Sequence, residues 1–328
     1  MKHQVDALFK NGLAEQFPSQ LNIDVSEFCN LACVHCPYEI VTKLKGAQRK
    51  NLDPDLHTKI VSEIVEEGMP HCRFVRYTGD GEPTLHPKLP QMIADLKNRT
   101  GIQTNLTTNG LLMTQARAEA YLDAGVDVFD ISIDAFKEET YRQVRVNGEL
   151  ADLLVAVRLL LAENKKRGKP AKIVVSFVHQ PLNEGEADDF RAFWNNEGVD
   201  FVVIRDKHSC AGEMKETAQE MWSTAPTQRT PCRYPWERLV VKPDGKVVFC
   251  PADWYHKAEI GHVKDNTIGE IWRGEKMQAL RQAHVTNRLE NHSFCRQCPD
   301  WQVIPWPGQN KDYASMMKLF QNRDVKAS

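Results

Sequence analysis

The sequence has no long apolar run. Its longest, Leu153 to Ala162, is broken by Arg158 and falls well short of the roughly 20 residues that span a bilayer. The N-terminus, MKHQVDALFKNGLAEQ, lacks both an apolar core and a small-residue cleavage site, so it does not read as a secretory signal. Neither sign of charge dominates: 42 Lys plus Arg face 44 Asp plus Glu, for a formal net charge of -2. Bulk charge therefore recruits neither nucleic acid nor an anionic membrane. There are no internal repeats and no low-complexity tracts. These absences predict a cytoplasmic protein with no nucleic-acid or membrane partner, in a compartment where thiols stay reduced. The 328 residues, 41% hydrophobic and 26% charged, suffice for one large domain or two unequal ones.

What the chain does have is cysteine, nine in all, and their spacing carries the chemistry. Cys29, Cys33 and Cys36 form a C-x3-C-x2-C triplet. In a reducing compartment such a triplet reads as metal ligands and not as a disulfide framework. Three thiolates so close can wrap one cubane of iron and sulfide and leave its fourth iron open. A zinc knuckle or three unrelated core cysteines are the alternatives that spacing allows.

The pattern around the triplet predicts alternating strands and helices. Leu21 to Ser26 alternates apolar and polar residues and leads into the cysteine loop. Further strands are expected at Arg73–Thr78, Gln103–Thr108, Val128–Ile133, Lys172–His179 and Val199–Arg205. Helices are expected from Asp53-Pro54 to Gly68, over Leu89–Arg99, from Thr114 to Gly125, from Glu149 to Gly168 and over Ala187–Asn196. Six such units imply parallel βαβ connections, short of the eight that close a TIM barrel. Past residue 225 the texture changes. A Pro- and Thr-rich stretch leads into a hairpin, Arg238–Phe249, that turns on Pro243-Asp244-Gly245, and five of the seven tryptophans lie in this part of the chain.

The triplet resembles the hallmark of the radical S-adenosylmethionine (SAM) superfamily. The resemblance implies a partial (β/α)6 TIM barrel, α/β in class, with its site at the C-terminal ends of the strands. A small α+β domain with a β-hairpin follows. It implies that the open iron binds SAM and that SAM is cleaved to a 5′-deoxyadenosyl radical, which takes a hydrogen atom from the substrate. The loop Thr78-Gly79-Asp80-Gly81-Glu82-Pro83 is similar to the family's Gly-Gly-Glu-Pro loop for the methionyl amine. Gly81, Glu82 and Pro83 match it, and Asp80 stands in place of the first glycine. By the same resemblance Thr107, Asn109, Ser132, Asp134, His35 and Arg145 become candidate SAM contacts.

Cys232, Cys250, Cys295 and Cys298 make a second set that can close one tetrahedral site, and spacing alone leaves zinc and iron-sulfur open. The pattern resembles the SPASM/twitch auxiliary-cluster domain. With no cysteine after Cys298, the resemblance implies the shorter twitch form with one auxiliary [4Fe-4S] cluster and four protein ligands. The expected organisation is a lead-in over 1–20, the barrel over 21–225, the twitch domain over 226–310 and a C-terminal helix and tail over 311–328.

Of the two remaining cysteines, Cys72 is expected in the core at the foot of the second strand. Cys210 follows the sixth strand on the face where substrate should sit. There it is a candidate hydrogen-atom donor, with Asp206, His208 and His179 as candidate bases or substrate contacts. The expected reaction is dehydrogenation or epimerisation of a small sugar- or aminocyclitol-like substrate, with a flavodoxin or ferredoxin as reductant. Peptide modification is the rival. The 20 residues before the first strand leave no room for a leader-binding domain, which weighs against it. A non-catalytic iron-sulfur or zinc scaffold is the reading of another class, and it requires the Gly81-Glu82-Pro83 loop to be coincidental.

Overall fold

The computed structural model describes residues 5, 6, 8, 9, 13–36, 38–255, 257–304 and 306. The expected C-terminal helix over 311–328 lies outside them. Nine strands form one sheet: β1 Gln20–Ile23, β2 Phe74–Tyr77, β3 Gln103–Thr108, β4 Val128–Ser132, β5 Lys172–His179, β6 Phe201–Asp206, β7 Arg238–Val241, β8 Lys246–Val248 and β9 Glu259–His262. Their order is β6-β5-β4-β3-β2-β1-β7-β8-β9. The first six pair in parallel in chain order, each reached through a crossover, as expected of a partial barrel.

The helices begin and end where their local chemistry directs. Asp53 caps the helix Pro54–Glu63 by accepting from Asp55 N–H, and Thr114 caps Gln115–Asp123 by accepting from Arg117 N–H. Gly101 and Gly198 close Leu89–Thr100 and Ala187–Glu197 in the left-handed conformation. The helix expected to run to Gly68 does so, with its last five residues widened into a π turn. Among the described residues no helix is long and apolar enough to cross a membrane.

Inside the barrel, alternate strands contribute a charged layer. Arg76 of β2 and Arg205 of β6 both reach Asp130 of β4, at 2.8 and 2.9 Å. Two guanidinium groups hold that buried carboxyl below its usual range against the opposing effect of burial.

The composition break near residue 225 is not a break in the sheet. β7 pairs in parallel with β1, from Gln20 opposite Arg238 to Ile23 opposite Val241, and the antiparallel β8 and β9 extend it. The hairpin thus grows from the open edge of the barrel. The lead-in packs on the same C-terminal part: Trp236 Nε1–H donates to the Val5 carbonyl and Trp272 Nε1–H to that of Ala14.

Candidate functional site

The Cys29–Cys36 loop leaves β1 and is pinned on three sides. Ala32 and Val34 N–H donate to the carbonyls of Val146 and Val144. Cys29 N–H donates to the Tyr38 hydroxyl at 2.8 Å, which also accepts from Arg49. Asn109 Nδ2 donates to Asn30 Oδ1 at 2.8 Å. The three thiols border one cavity of about 250 Å³, together with His35, Gly81, Glu82, Pro83, Asn109, Ser132 and Arg145. Burial pushes the Cys29 thiol up to about 11 and Cys36 well above its usual range. A thiolate in so dry a place needs a positive counter-charge, which a bound metal cluster supplies.

The loop after β2 lies directly on this one. A Cβ at Gly79 would sit 2.0 Å from the Asp24 carboxyl carbon, and one at Gly81 would sit 2.4 Å from the carbonyl oxygens of Ser26 and Phe28. Only glycine permits that approach. Glu82 is buried, and its N–H donates to the Phe28 carbonyl at 2.7 Å. Its Oε1 accepts from Thr84 N–H, the Thr84 hydroxyl and the Thr108 hydroxyl, while Oε2, among the described residues, accepts from Asn109 N–H alone. A carboxylate has about four lone-pair sites, two on each oxygen. Oε2 therefore retains acceptor capacity, on the atom beside the cavity contact Asn109.

Asp80, the departure from the Gly-Gly pattern, belongs to a buried ion cluster. Lys242, just past β7, reaches Asp80 at 2.5 Å and Asp24 at 3.5 Å, and Asp80 N–H donates to Asp24 at 2.9 Å. Burial and the neighbouring Asp80 charge raise Asp24 to about 8, so it carries a proton at neutral pH. Sequence reasoning found neither Asp24 nor Lys242, because nothing local marks a pairing across 218 residues.

Arg145 is tied down on two sides. Its Nη1 lies 3.3 Å from Cys33 Sγ and its Nη2 pairs with Asp134, a residue held in the left-handed conformation at φ 66°. Burial works against the guanidinium charge, but Asp134 and Cys33 outweigh it and raise its pKa. Asp134 also holds His35 Nε2 at 3.3 Å, and Gln180 reaches His35 Nδ1 at 3.3 Å. Burial lowers His35 to about 4, so it is neutral. Asp134 thus meets the cavity through His35 and Arg145.

The second cysteine set comes together as well. Cys232, Cys250, Cys295 and Cys298 border a neighbouring cavity of about 280 Å³. Among the described residues no three His, Cys, Asp or Glu side chains converge on one ion position. A cubane holds its thiolates farther apart than a single ion does. Three buried N–H groups on residues lining the same cavity have no hydrogen-bond partner among the described residues: Arg229 Nε, His284 Nε2 and Trp301 Nε1. Each costs about 1–3 kcal/mol if left unsatisfied. Cluster sulfurs accept hydrogen bonds, so the donor set fits an iron-sulfur group.

The two cavities share Thr78, Cys210 and Trp254. Cys210 is buried, at φ 52° with Ala211 at φ 57°, both in the left-handed region. Burial pushes its thiol up to about 12, so it stays protonated. His208, Asp206 and His179 are all exposed; His208 lines the auxiliary cavity, and the other two border neither cavity. Cys72 is in the core, as expected. Trp254 and Tyr38 were not foreseen as cavity residues, and no sequence motif marks them.

The Radical SAM superfamily model matches residues 23–193. The chain belongs to the radical SAM superfamily. A model for the SPASM iron-sulfur cluster-binding domain matches residues 232–299. The cofactors of this radical SAM enzyme are accordingly SAM, a [4Fe-4S] cluster that binds it and an auxiliary [4Fe-4S] cluster. Curated relatives include a GTP 3',8-cyclase of Alkaliphilus metalliredigens, 31% identical over 56% of this chain and 55% of that one. Another is a tungsten-containing aldehyde ferredoxin oxidoreductase cofactor-modifying protein of Pyrococcus furiosus, 27% identical over 56% and 50%. The chain spans about half the length of these relatives. Among solved structures, BtrN in complex with AdoMet and 2-DOIA aligns over 87% of this chain and 94% of its own, with TM-score 0.58 and 17% identity. SuiB of Streptococcus suis bound to its precursor peptide SuiA aligns over 97% and 76%, with TM-score 0.64 and 14% identity. Both show the same fold.

Proposed function

We propose that this radical SAM enzyme dehydrogenates a small polar, sugar- or aminocyclitol-like substrate at the junction of its two cavities. Cys29, Cys33 and Cys36 would hold the cluster that, with SAM bound, would supply 5′-deoxyadenosyl radical chemistry, and Cys232, Cys250, Cys295 and Cys298 would hold an auxiliary cluster able to serve as electron acceptor. Glu82 Oε2 accepts from the methionyl ammonium of SAM. Gly81 and Pro83 set the loop, and Asn109, Ser132, His35, Asp134 and Arg145 complete the wall. His208 is the remaining candidate base, since Asp206 lies outside both cavities. Electrons arrive from a flavodoxin- or ferredoxin-type reductant. The observation that supports the reading is the wall of Thr78, Cys210 and Trp254 that the two cysteine-lined cavities have in common. The likeness to BtrN over 94% of its chain supports a small-molecule substrate.

Cys210 favours a second reading. A protonated thiol between the cavities is able to return a hydrogen atom to a substrate radical, which makes the enzyme an epimerase. Peptide modification is the third outcome, in keeping with the likeness to SuiB. The test is anaerobic reconstitution followed by a panel of sugars, aminocyclitols and peptides in D2O. A product two mass units lighter, formed one-to-one with 5′-deoxyadenosine, is the expected result. A product of unchanged connectivity carrying one solvent deuterium sinks dehydrogenation in favour of epimerisation. Turnover of peptides alone overturns the small-molecule reading.

A further inference from the structure

The second cavity contains more hydrogen-bond donors than the protein itself uses. His284 Nδ1 accepts from Cys232 N–H at 3.4 Å, so the ring proton of this neutral imidazole sits on Nε2. That Nε2–H is buried and unpartnered among the described residues. Trp301 carries a donor only, and its Nε1–H is likewise buried and unpartnered. Arg229 lies with its guanidinium carbon 5.6 Å from the centre of the Trp301 ring, and its Nε–H is the third such group. All three residues line the cavity that the four thiols share. They come from three separate stretches of chain: one ahead of Cys232, one at the end of the helix Glu275–Thr286 and one just past Cys298.

We infer that Trp301 Nε1–H, His284 Nε2–H and Arg229 Nε–H donate to the sulfurs of the auxiliary cluster and raise its reduction potential. The inference rests on the auxiliary-cluster assignment above and gives that cluster its task as electron acceptor. Each N–H···S bond strengthens as the sulfur gains negative charge, so the bonds favour the reduced cluster over the oxidised one. The buried positive charge of Arg229 acts in the same direction. In dehydrogenation a hydrogen atom first passes from the substrate carbon to the 5′-deoxyadenosyl carbon. The substrate radical then loses one proton to a base and one electron to the auxiliary cluster, as the carbon-oxygen double bond forms. A raised potential drives that last transfer.

The test is EPR-monitored redox titration of the full-length chain carrying Cys29→Ala, Cys33→Ala and Cys36→Ala, so that only the auxiliary cluster reports. Trp301→Phe keeps an aromatic ring and removes the N–H. His284→Met removes another donor, and His284→Gln keeps an amide N–H near the same position. The midpoint potential is expected to fall in Trp301→Phe and in His284→Met, and to stay near its starting value in His284→Gln. Equal midpoints in all four proteins overturn the inference, as does zinc with no redox signal at this site. Product analysis of the unmodified enzyme is a separate readout. If it shows an epimer while the midpoints shift as expected, the hydrogen bonds stand and only the dehydrogenase reading falls.

Discussion

Asp300 holds Cys210 by the backbone on either side of it. Its Oδ1 accepts from Ser209 N–H at 2.7 Å and its Oδ2 from Ala211 N–H at 2.9 Å. Asp300 lies two residues past Cys298, so the auxiliary knuckle and the thiol loop are mechanically one piece. The same knuckle meets Gly212, where a Cβ would lie 2.8 Å from the Gln297 carbonyl oxygen. Two charge-assisted bonds offset two consecutive left-handed residues, each of which costs roughly 1–2 kcal/mol.

Asp300→Ala should therefore release the loop. We expect a loss of about 3 kcal/mol in stability, from two hydrogen bonds to a charged group, read as a lower thermal midpoint under anaerobic conditions. We also expect faster alkylation of Cys210 by iodoacetamide, mapped by mass spectrometry on the cluster-loaded protein. Unchanged alkylation would show that the loop keeps its shape without the clamp.

Arg145 joins a cluster cysteine to a buried carboxylate, so its removal exposes two groups at once. Arg145→Met leaves Asp134 buried without its counter-charge, and breaking such a pair costs about 3–5 kcal/mol. Arg145→Met combined with Asp134→Asn should recover part of that loss. A denaturation double-mutant cycle checks this, and additive losses would mean that the pair contributes nothing as a pair.

Much of this was legible before the fold was known, for physical reasons. The strands Gln103–Thr108 and Lys172–His179 fall at the predicted bounds; the second does so because a parallel strand buried on both faces reads as a continuous apolar run. Helix ends were legible where a cap or a glycine sits in the sequence, as at Asp53 and Thr114. The helix Tyr38–Lys45 and the strand Glu259–His262 were missed, being short. So was the pairing of β7 with β1, because parallel partners so distant in sequence leave no local mark. Cysteine ligand sets are written in their spacing. The groups that position them, such as Lys242, Asp300 and Arg145, act through tertiary contacts that no spacing encodes.

The ion cluster of Asp24, Asp80 and Lys242 sets a pH dependence. The Asp24 pKa is raised from 3.8 to about 8 on folding. Between those values the native state holds a proton that the unfolded chain has lost, so stability falls as pH rises through the window and levels off above about 8. Asp24→Asn mimics the protonated form and does not titrate. The thermal midpoint of the loaded protein should decline from pH 6 to pH 8 in the unmodified enzyme, and less so in the variant. Parallel curves would assign the decline to another group.

Glu82 is the most direct test of the SAM site. Its Oε1 is spent on Thr84 and Thr108, and only Oε2, next to Asn109, has capacity for a ligand cation. Glu82→Gln keeps the shape and removes the charge, but its amide NH2 must face one set of donors. A hydrogen bond to a charged group contributes about 1.5–3 kcal/mol. SAM affinity, measured by equilibrium dialysis on the iron-loaded protein, should therefore fall about 10- to 100-fold. Iron content should hold, since Glu82 is no cluster ligand. If affinity holds while iron falls, Glu82 supports the Cys29–Cys36 loop through its N–H bond to the Phe28 carbonyl and does not bind SAM. If both hold, the ammonium is bound elsewhere, and the match of Gly81-Glu82-Pro83 to the family loop is coincidental.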